Sequence, residues 1–356
     1  MLVRRLGFLL PLLLPLVVVL GHRLGGAWNF LTPAVLFVAL PLVDLWAGVD
    51  TVTVAPHGSP SPRWRRWFDG LLRAWVPIQL LLLAWGAQAV AVAAAAPGGA
   101  VEAIGLTLSI GLLTGAVGIT VAHELGHRRA LADRVLACTL LATVAYAHFH
   151  VEHNRGHHAR VATPEDPATA REGEGFWAFL VRTVPAQFAS AWRLERERLE
   201  RLGRPVSALA NRMPWAIAAP VVLALGLALA WGAAAVAFFV AQAAVAVSLL
   251  ELVNYVEHYG LLRRRTADGR YERVQPWHSW NAAQRVSNWY LFNLQRHSHH
   301  HANVNRRYEE LEHDPRAPQL PAGYAVMVLV AAVPPLWRRV MQPRLAAWRA
   351  VAGTIE

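Results

Sequence analysis

Residues 215–253 read WAIAAPVVLALGLALAWGAAAVAFFVAQAAVAVSLLELV, 39 positions carrying one ionisable side chain, Glu251. A helix crosses the roughly 30 Å of bilayer hydrocarbon in about 20 residues, so this stretch is too long for one span. It suits two, of about 17 and 22 residues, divided at Trp231-Gly232. Four further apolar blocks precede it: Leu6 to Leu24, Asn29 to Val49, Leu71 to Ala96 and Val101 to Ala122, the last two joined by the turn Pro97-Gly98-Gly99. The first block follows Arg4 and Arg5 as a secretory signal would. No small-x-small cleavage site comes close behind it, so it is read as a retained helix. Six spanning helices predict an all-α integral membrane protein. Composition agrees: of 356 residues 55% are hydrophobic and 16% charged, against about 25% charged in soluble domains.

The formal charge of +11 has a membrane explanation. If six helices alternate, Arg4 and Arg5, then Arg63, Arg65 and Arg66, then the arginine-rich segment after Ala122, then Arg338 and Arg339, fall on one side. The other side receives His22, Arg23 and two nearly uncharged turns. This predicts cytoplasmic termini, a cytoplasmic polar cap and residence in the inner cell membrane. No nucleic-acid partner is expected, since no reading module is present. The chain reads as one membrane domain, 1–356. Four spans lie in 1–122, a polar region in 123–212, two spans in 213–256 and a second polar region in 257–356. Within the polar parts, residues 191–202 (AWRLERERLERL) suit a solvated helix packed on one face. Leu136 to Tyr146 and Tyr324 to Val333 are apolar but too short to span, and are expected to pack at the cap. Cys138 is the only cysteine, which excludes an intramolecular disulfide, a zinc ribbon and an iron–sulfur cluster carried by the chain.

Histidine supplies the chemical signal. Most of the 16 histidines lie in four clusters at the predicted cytoplasmic helix ends. His123-Glu124-Leu125-Gly126-His127 closes the fourth span with i, i+4 spacing, which sets two imidazoles on one helix face. His153, His157 and His158 repeat the spacing with one adjacent histidine added. His258 ends the sixth span alone, and His297 through His301 offer i, i+3 and i+4. Three such spacings on one side supply more ligands than a tetrahedral zinc accepts, so two metal ions fit better. An open, histidine-rich site beside a bilayer argues for oxygen chemistry on an apolar substrate.

The same residues carry a family resemblance. HELGHRR (123–129), EHNRGHHARVATPEDPATAREGE (152–174), NYVEHYGLL (254–262) and LQRHSHHHANVNRRY (294–308) resemble the four histidine motifs of the membrane alkane 1-monooxygenases, di-iron alkane ω-hydroxylases. DGRYE (268–272) and HSWN (278–281) extend the likeness, which runs from about Pro41 to the C-terminal tail. The resemblance implies two iron ions held by His123, His127, His153, His157, His158, His258, His297, His300 and His301. It implies hydroxylation of a terminal methyl group with dioxygen and two electrons. The electrons would come from a separate rubredoxin, with rubredoxin reductase upstream, because a fused one would show four cysteines. Glu124, Glu152, Glu257 and Asp166 are expected to accept hydrogen bonds from ligand imidazoles, and arginines such as Arg128, Arg155 and Arg160 to steer an acidic donor. His22, His57, His148, His150, His278, His299 and His313 are expected not to bind metal. His299 stands where the family pattern usually has aspartate.

An alkane dissolved in membrane lipid would enter between helices, and Leu36, Phe37 and Leu40 in the second span are candidate channel walls. Histidine boxes of this general form also occur in membrane desaturases and in fatty-acyl or aromatic-methyl hydroxylases. Outside that class, HELGH alone fits a zinc protease with Glu124 as base, but leaves three clusters unexplained. A metal transporter would place its histidines along the spans, whereas here they gather at one end.

Overall fold

The computed structural model describes residues 2–51 and 61–352; His57 lies outside them. Among these residues the only β-type pairings are three isolated bridges, and the rest of the regular structure is helical. Five helices are long and apolar enough to cross a membrane: α1 (Val3–Leu24), α2 (Gly26–Ala47), α3 (Pro62–Ala95), α4 (Ala100–Gly126) and a later one of 47 residues. Between α4 and the long helix come α5 (Leu131–Ala142), α6 (the continuous run 149–160) and α7 (Phe176–Arg201). The long helix is α8 (Arg212–His258), followed by α9 (Arg285–Tyr290), α10 (His297–Ala302), α11 (Tyr324–Ala332) and α12 (Pro334–Ala352).

Where six separate spans were expected from the sequence, α8 is one long element with a break at Gly232. That residue has φ 75° and ψ −165°, a backbone state open to glycine and strained for other residues. The interruption falls at the dipeptide that divides the apolar run. At about 1.5 Å per residue the 47 residues would otherwise reach about 70 Å, more than twice a hydrocarbon core.

α4 is the central helix, with 78% of its apolar window buried against 17–39% for the other four. Outward faces of the others carry exposed leucines such as Leu16, Leu81 and Leu229, as hydrocarbon-facing surfaces do. Inside, a polar chain ties three helices to the end of α5. Trp75 Nε1 donates to Gln79 Oε1 (2.6 Å), and Gln79 Nε2 donates to Thr143 Oγ1 (2.6 Å). Gln242 Nε2 donates to the Thr143 carbonyl (2.7 Å), while Thr114 Oγ1 donates to Gln242 Oε1 (2.9 Å). Each link spares a buried polar atom the cost of standing unpaired in an apolar interior.

The segments outside the five long apolar helices pack as their sequence pattern indicates. Ala191, Glu195 and Leu199 of α7 are buried at i, i+4, i+8, with Arg198 paired to Glu195 at 2.6 Å. Leu140, Leu141 and Tyr146 are buried, as are Tyr324, Met327 and Val328 of α11. Asp44 of α2 reaches α9, accepting the backbone N–H of Val286 at 2.7 Å and of Ser287 at 3.1 Å, as well as the Ser287 hydroxyl. That carboxylate supplies the first turn of α9 with the acceptors its free N–H groups need.

Three stretches are wound as wider π-helical turns: Val35–Ala39, Thr114–Ile119 and His153–His157. Such turns insert an extra residue and re-aim the side chains beyond them. All three border the same cavity, described next.

Candidate metal centre

The nine histidines come together from α4, α6, α8 and α10. Their donor nitrogens form two groups: His123, His127, His153, His158 and His300 in one, and His157, His258, His297 and His301 in the other, with the atoms of each group within 4.8 Å of one another. In the first, His127 Nε2 stands 3.2 Å from that of His123 and 3.1 Å from that of His153. His158 Nε2 is 2.9 Å from His153 and 3.2 Å from His300. In the second, His301 Nε2 is 3.2 Å from His157 and 2.8 Å from His297, which lies 3.1 Å from His258.

These spacings fit a bound ion. Ligands at right angles on an ion about 2.1 Å away stand about 3.0 Å apart. A neutral imidazole carries one N–H, so converging Nε2 atoms cannot all satisfy each other. In the second group Nδ1 of His297 and His301 has no hydrogen-bond partner among the described residues either. A cation among the Nε2 atoms leaves each Nδ1 as the protonated nitrogen. Burial, reinforced by neighbouring imidazoles, holds His153, His158, His297, His300 and His301 well below the ordinary histidine range and pushes His127 down to about 3. They are therefore neutral near pH 7, the form that ligates metal.

The partition cuts across the sequence boxes. His153 and His157, four apart, belong to different groups, while His153 and His158, five apart, share one. The π turn explains this, because its i→i+5 hydrogen bonding stacks residue i over i+5. Gly156 makes room for the turn's support. A Cβ there would meet both Glu152 carboxylate oxygens and Arg160 Nη2, the partners of a 2.9 Å ion pair.

The four carboxylates take different positions. Asp166 Oδ2 lies 2.9 Å from His157 Nδ1 and accepts the Thr169 hydroxyl at 2.7 Å. Burial alone would raise its carboxyl, but His157 and Thr169 hold it below the usual range. Glu152 is held by Arg160, and Glu124 lies 3.5 Å from Arg128. Glu257 differs: its Oε2 is 3.1 Å from His297 Nε2, not Nδ1, and its Oε1 accepts the Tyr324 hydroxyl at 2.8 Å.

Six of the remaining histidines have other surroundings. His22 pairs with Glu102 and His278 with Glu272, each at 3.1 Å. His148 packs between the Tyr146 and Phe188 rings, and Asn154 donates to His150. His299 Nδ1 accepts the Glu312 backbone N–H at 3.0 Å, and its side chain borders a polar cavity with His313.

Four positioning residues escape a reading confined to histidine spacing. Asn281 clamps α10, donating to Ser298 Oγ (2.6 Å) and accepting the Ser298 backbone N–H (2.9 Å). Trp280 donates through Nε1 to the Tyr259 carbonyl and through its backbone to the Glu257 carbonyl. Both lie in HSWN, so their signal was visible as a motif without a role. Buried Arg296 anchors the start of α10 on the Leu311 carbonyl (2.6 Å) and Asp50 (3.0 Å). Tyr324 has no local sequence signal.

An apolar cavity abuts both groups. Leu36, Phe37, Ile119, Leu250 and Val328 line it, and His123, His153, His297 and Glu257 stand at its polar end. Leu40 does not border it and packs against the apolar core.

The fatty acid desaturase family model matches residues 97–329, the part containing all nine histidines. Alkane 1-monooxygenase 2 of Pseudomonas aeruginosa is 43% identical over 93% of this chain and 88% of its own length. The chain belongs to the alkane 1-monooxygenase family. Alkane 1-monooxygenase 1 of the same organism is also 43% identical, over 91% of this chain and 84% of its own. A more distant relative, the xylene/toluene monooxygenase hydroxylase component of Pseudomonas putida, is 27% identical over 92% of this chain and 86% of its own. Membership makes the chain an oxidoreductase of the monooxygenase class, and its histidine groups fit the metal dependence of the alkane 1-monooxygenase family.

Proposed function

We propose that this chain hydroxylates the terminal methyl group of alkanes, using two irons, one in each histidine group. Electrons come from a separate rubredoxin that rubredoxin reductase reduces. The observation that carries the reading is the cavity: one apolar space touches His123 and His153 of the first group and His297 of the second. A methyl group offers no handle for acid–base or nucleophilic attack, and bound iron supplies the oxygen-activating redox chemistry that side chains lack. The chain's own residues do the rest. Leu36, Phe37 and Val328 exclude water and hold the hydrocarbon, so that only its end reaches the histidines. Asp166 fixes the tautomer and ring plane of His157. Arg296 and Asn281 hold α10 in register.

The protein sits in the inner membrane with α8 crossing twice and turning at Gly232, which gives six spans. Both ends of α8 then lie on the side where α4 delivers His123 and His127. Arginine placement supports a cytoplasmic cap. Arg128 and Arg160 are engaged by Asp69, Glu124 and Glu152, so the exposed Arg129 and Arg155 are the better candidates to meet an acidic donor. Alkane is preferred over an aromatic methyl substrate because identity is 43% to alkane enzymes and 27% to the xylene enzyme. Purified protein with reduced rubredoxin should convert octane to 1-octanol. Conversion of p-xylene with none of octane would reject the substrate assignment.

A further inference from the structure

The first two-thirds of α7 are amphipathic in the reverse sense to a helix in water. A surface helix of a soluble protein turns apolar residues to the core and polar ones outward. Here the buried positions from 180 to 190 are Thr183, Gln187 and Ser190. Gln187 Nε2 donates to Glu251 Oε1 at 2.9 Å, and Ser190 Oγ accepts Arg160 Nη2 at 2.7 Å, beside the Glu152–Arg160 pair. Outward, every exposed position from 177 to 192 is apolar, and Trp177, Val181, Phe188 and Trp192 leave 36–76% of their surface open. Charge begins one residue later, with Arg193, Arg196 and Glu200 exposed.

The ends of α7 fix its direction. Phe176 and Phe179 pack against the ring of Tyr255, near the end of α8, with centroids 5.9 and 5.4 Å away. Glu195, about 29 Å further along the helix, accepts on Oε1 the backbone N–H of Arg212, the first residue of α8, at 2.9 Å. α7 therefore bridges the two ends of α8. With α8 crossing the bilayer twice, both ends lie at one membrane face, and α7 runs along that face. The part of α8 that starts beside Glu195 is itself a hydrocarbon-facing surface, with Trp215, Val221 and Val222 exposed.

We infer that residues 177–192 of α7 form a membrane-interface helix, with the outward stripe among phospholipid acyl chains and the charged end, from Arg193 on, among headgroups and water. The flat orientation rests on the double crossing of α8 proposed above; the lipid contact does not. Trp177 and Trp192 bracket the stripe as aromatic residues do at headgroup level. The apolar face of such a helix sinks about 5–10 Å into the boundary between headgroups and acyl chains. Part of the region assigned from sequence to the cytoplasmic cap is thus seated in lipid. The bilayer backs the helix whose inner face holds Glu251 and the Glu152–Arg160 pair.

The test uses the full-length chain in vesicles of phosphatidylcholine and phosphatidylglycerol. Cys138→Ala leaves it without a thiol, so single cysteines can carry a nitroxide label. Labels on Val181→Cys and on Ala189→Cys should collide with oxygen and be shielded from a water-soluble nickel chelate, both at about 5–10 Å depth. A label on Arg196→Cys should show the opposite preference. All three positions are exposed, so the labels displace no packed side chain. Nickel access at 181 and 189 equal to that at 196 would overturn the inference by placing the stripe in water. Shielding of both from oxygen and nickel alike would overturn it in favour of a covering protein, such as a second copy of the chain. The crossing of α8 is read separately, with an impermeant thiol reagent on sealed vesicles, which should reach Ala230→Cys only from the face opposite Arg196→Cys. Reaction of both from one face would overturn the double crossing and the flat orientation, and leave the lipid contact to the nitroxide result.

Discussion

Asp166→Asn isolates one imidazole support without changing a ligand. In the parent, Oδ2 serves both His157 Nδ1 (2.9 Å) and the Thr169 hydroxyl (2.7 Å), while Oδ1 accepts the Ala168 backbone N–H at 3.2 Å. An asparagine has one acceptor oxygen. Turned toward His157 and Thr169, it presents its NH₂ to the Ala168 N–H; turned the other way, it presents NH₂ to His157. At least one buried donor is left unpaired either way, which costs about 1–3 kcal/mol. Loss of such a support weakens metal binding by about 10- to 100-fold, equivalent to about 1.4–2.8 kcal/mol. The two figures agree. Chelator titration followed by elemental analysis should show the second ion leaving at 10- to 100-fold lower chelator concentration, with the first unchanged. Equal chelator resistance of both ions in parent and variant would refute the hydrogen-bond argument.

Further outcomes follow from individual contacts. Gly156→Ala should lower stability by about 1–3 kcal/mol, read as a fall in melting temperature, because its methyl group displaces the Glu152–Arg160 pair. Phe37→Ala should shift the alkane chain length converted fastest, whereas Leu40→Ala should not, a contrast read by product analysis over a series of alkanes. His299→Ala should keep two irons and most of the activity, since His299 joins neither group and its Nδ1 faces the Glu312 backbone; loss of one iron would show a shifted register in α10. Burial pushes His148 down to about 4 from an ordinary value of about 6.5. The unfolded chain therefore binds the extra proton between these values, and stability present above about pH 6.5 is lost as pH falls toward 4. His148→Leu should show a shallower decline of melting temperature over that interval than the parent.

The apolar blocks and the nine histidines were legible because hydrophobic length and ligand spacing are local properties of a chain. Even the break in α8 was marked, by Trp231-Gly232. The allocation of ligands was not legible. α-Helical spacing pairs His153 with His157, and the π turn at 153–157 separates them. The carboxylates show the same boundary. Glu257 follows the pattern of an acidic residue beside a ligand, yet whether its oxygen meets Nδ1 or Nε2 of His297 depends on α10 and on Tyr324, 67 residues away. Leu36 and Phe37 border the cavity and Leu40 does not, because the π turn at Val35–Ala39 re-aims the face on which a regular helix would align them.

Two separate metal centres are the central claim, and diffraction from crystals at the iron absorption edge tests it most directly. The account predicts two anomalous peaks per chain. One should lie among the Nε2 atoms of His123, His127, His153, His158 and His300, and the other among those of His157, His258, His297 and His301. A single peak, or peaks that appear only at the zinc edge, would contradict it.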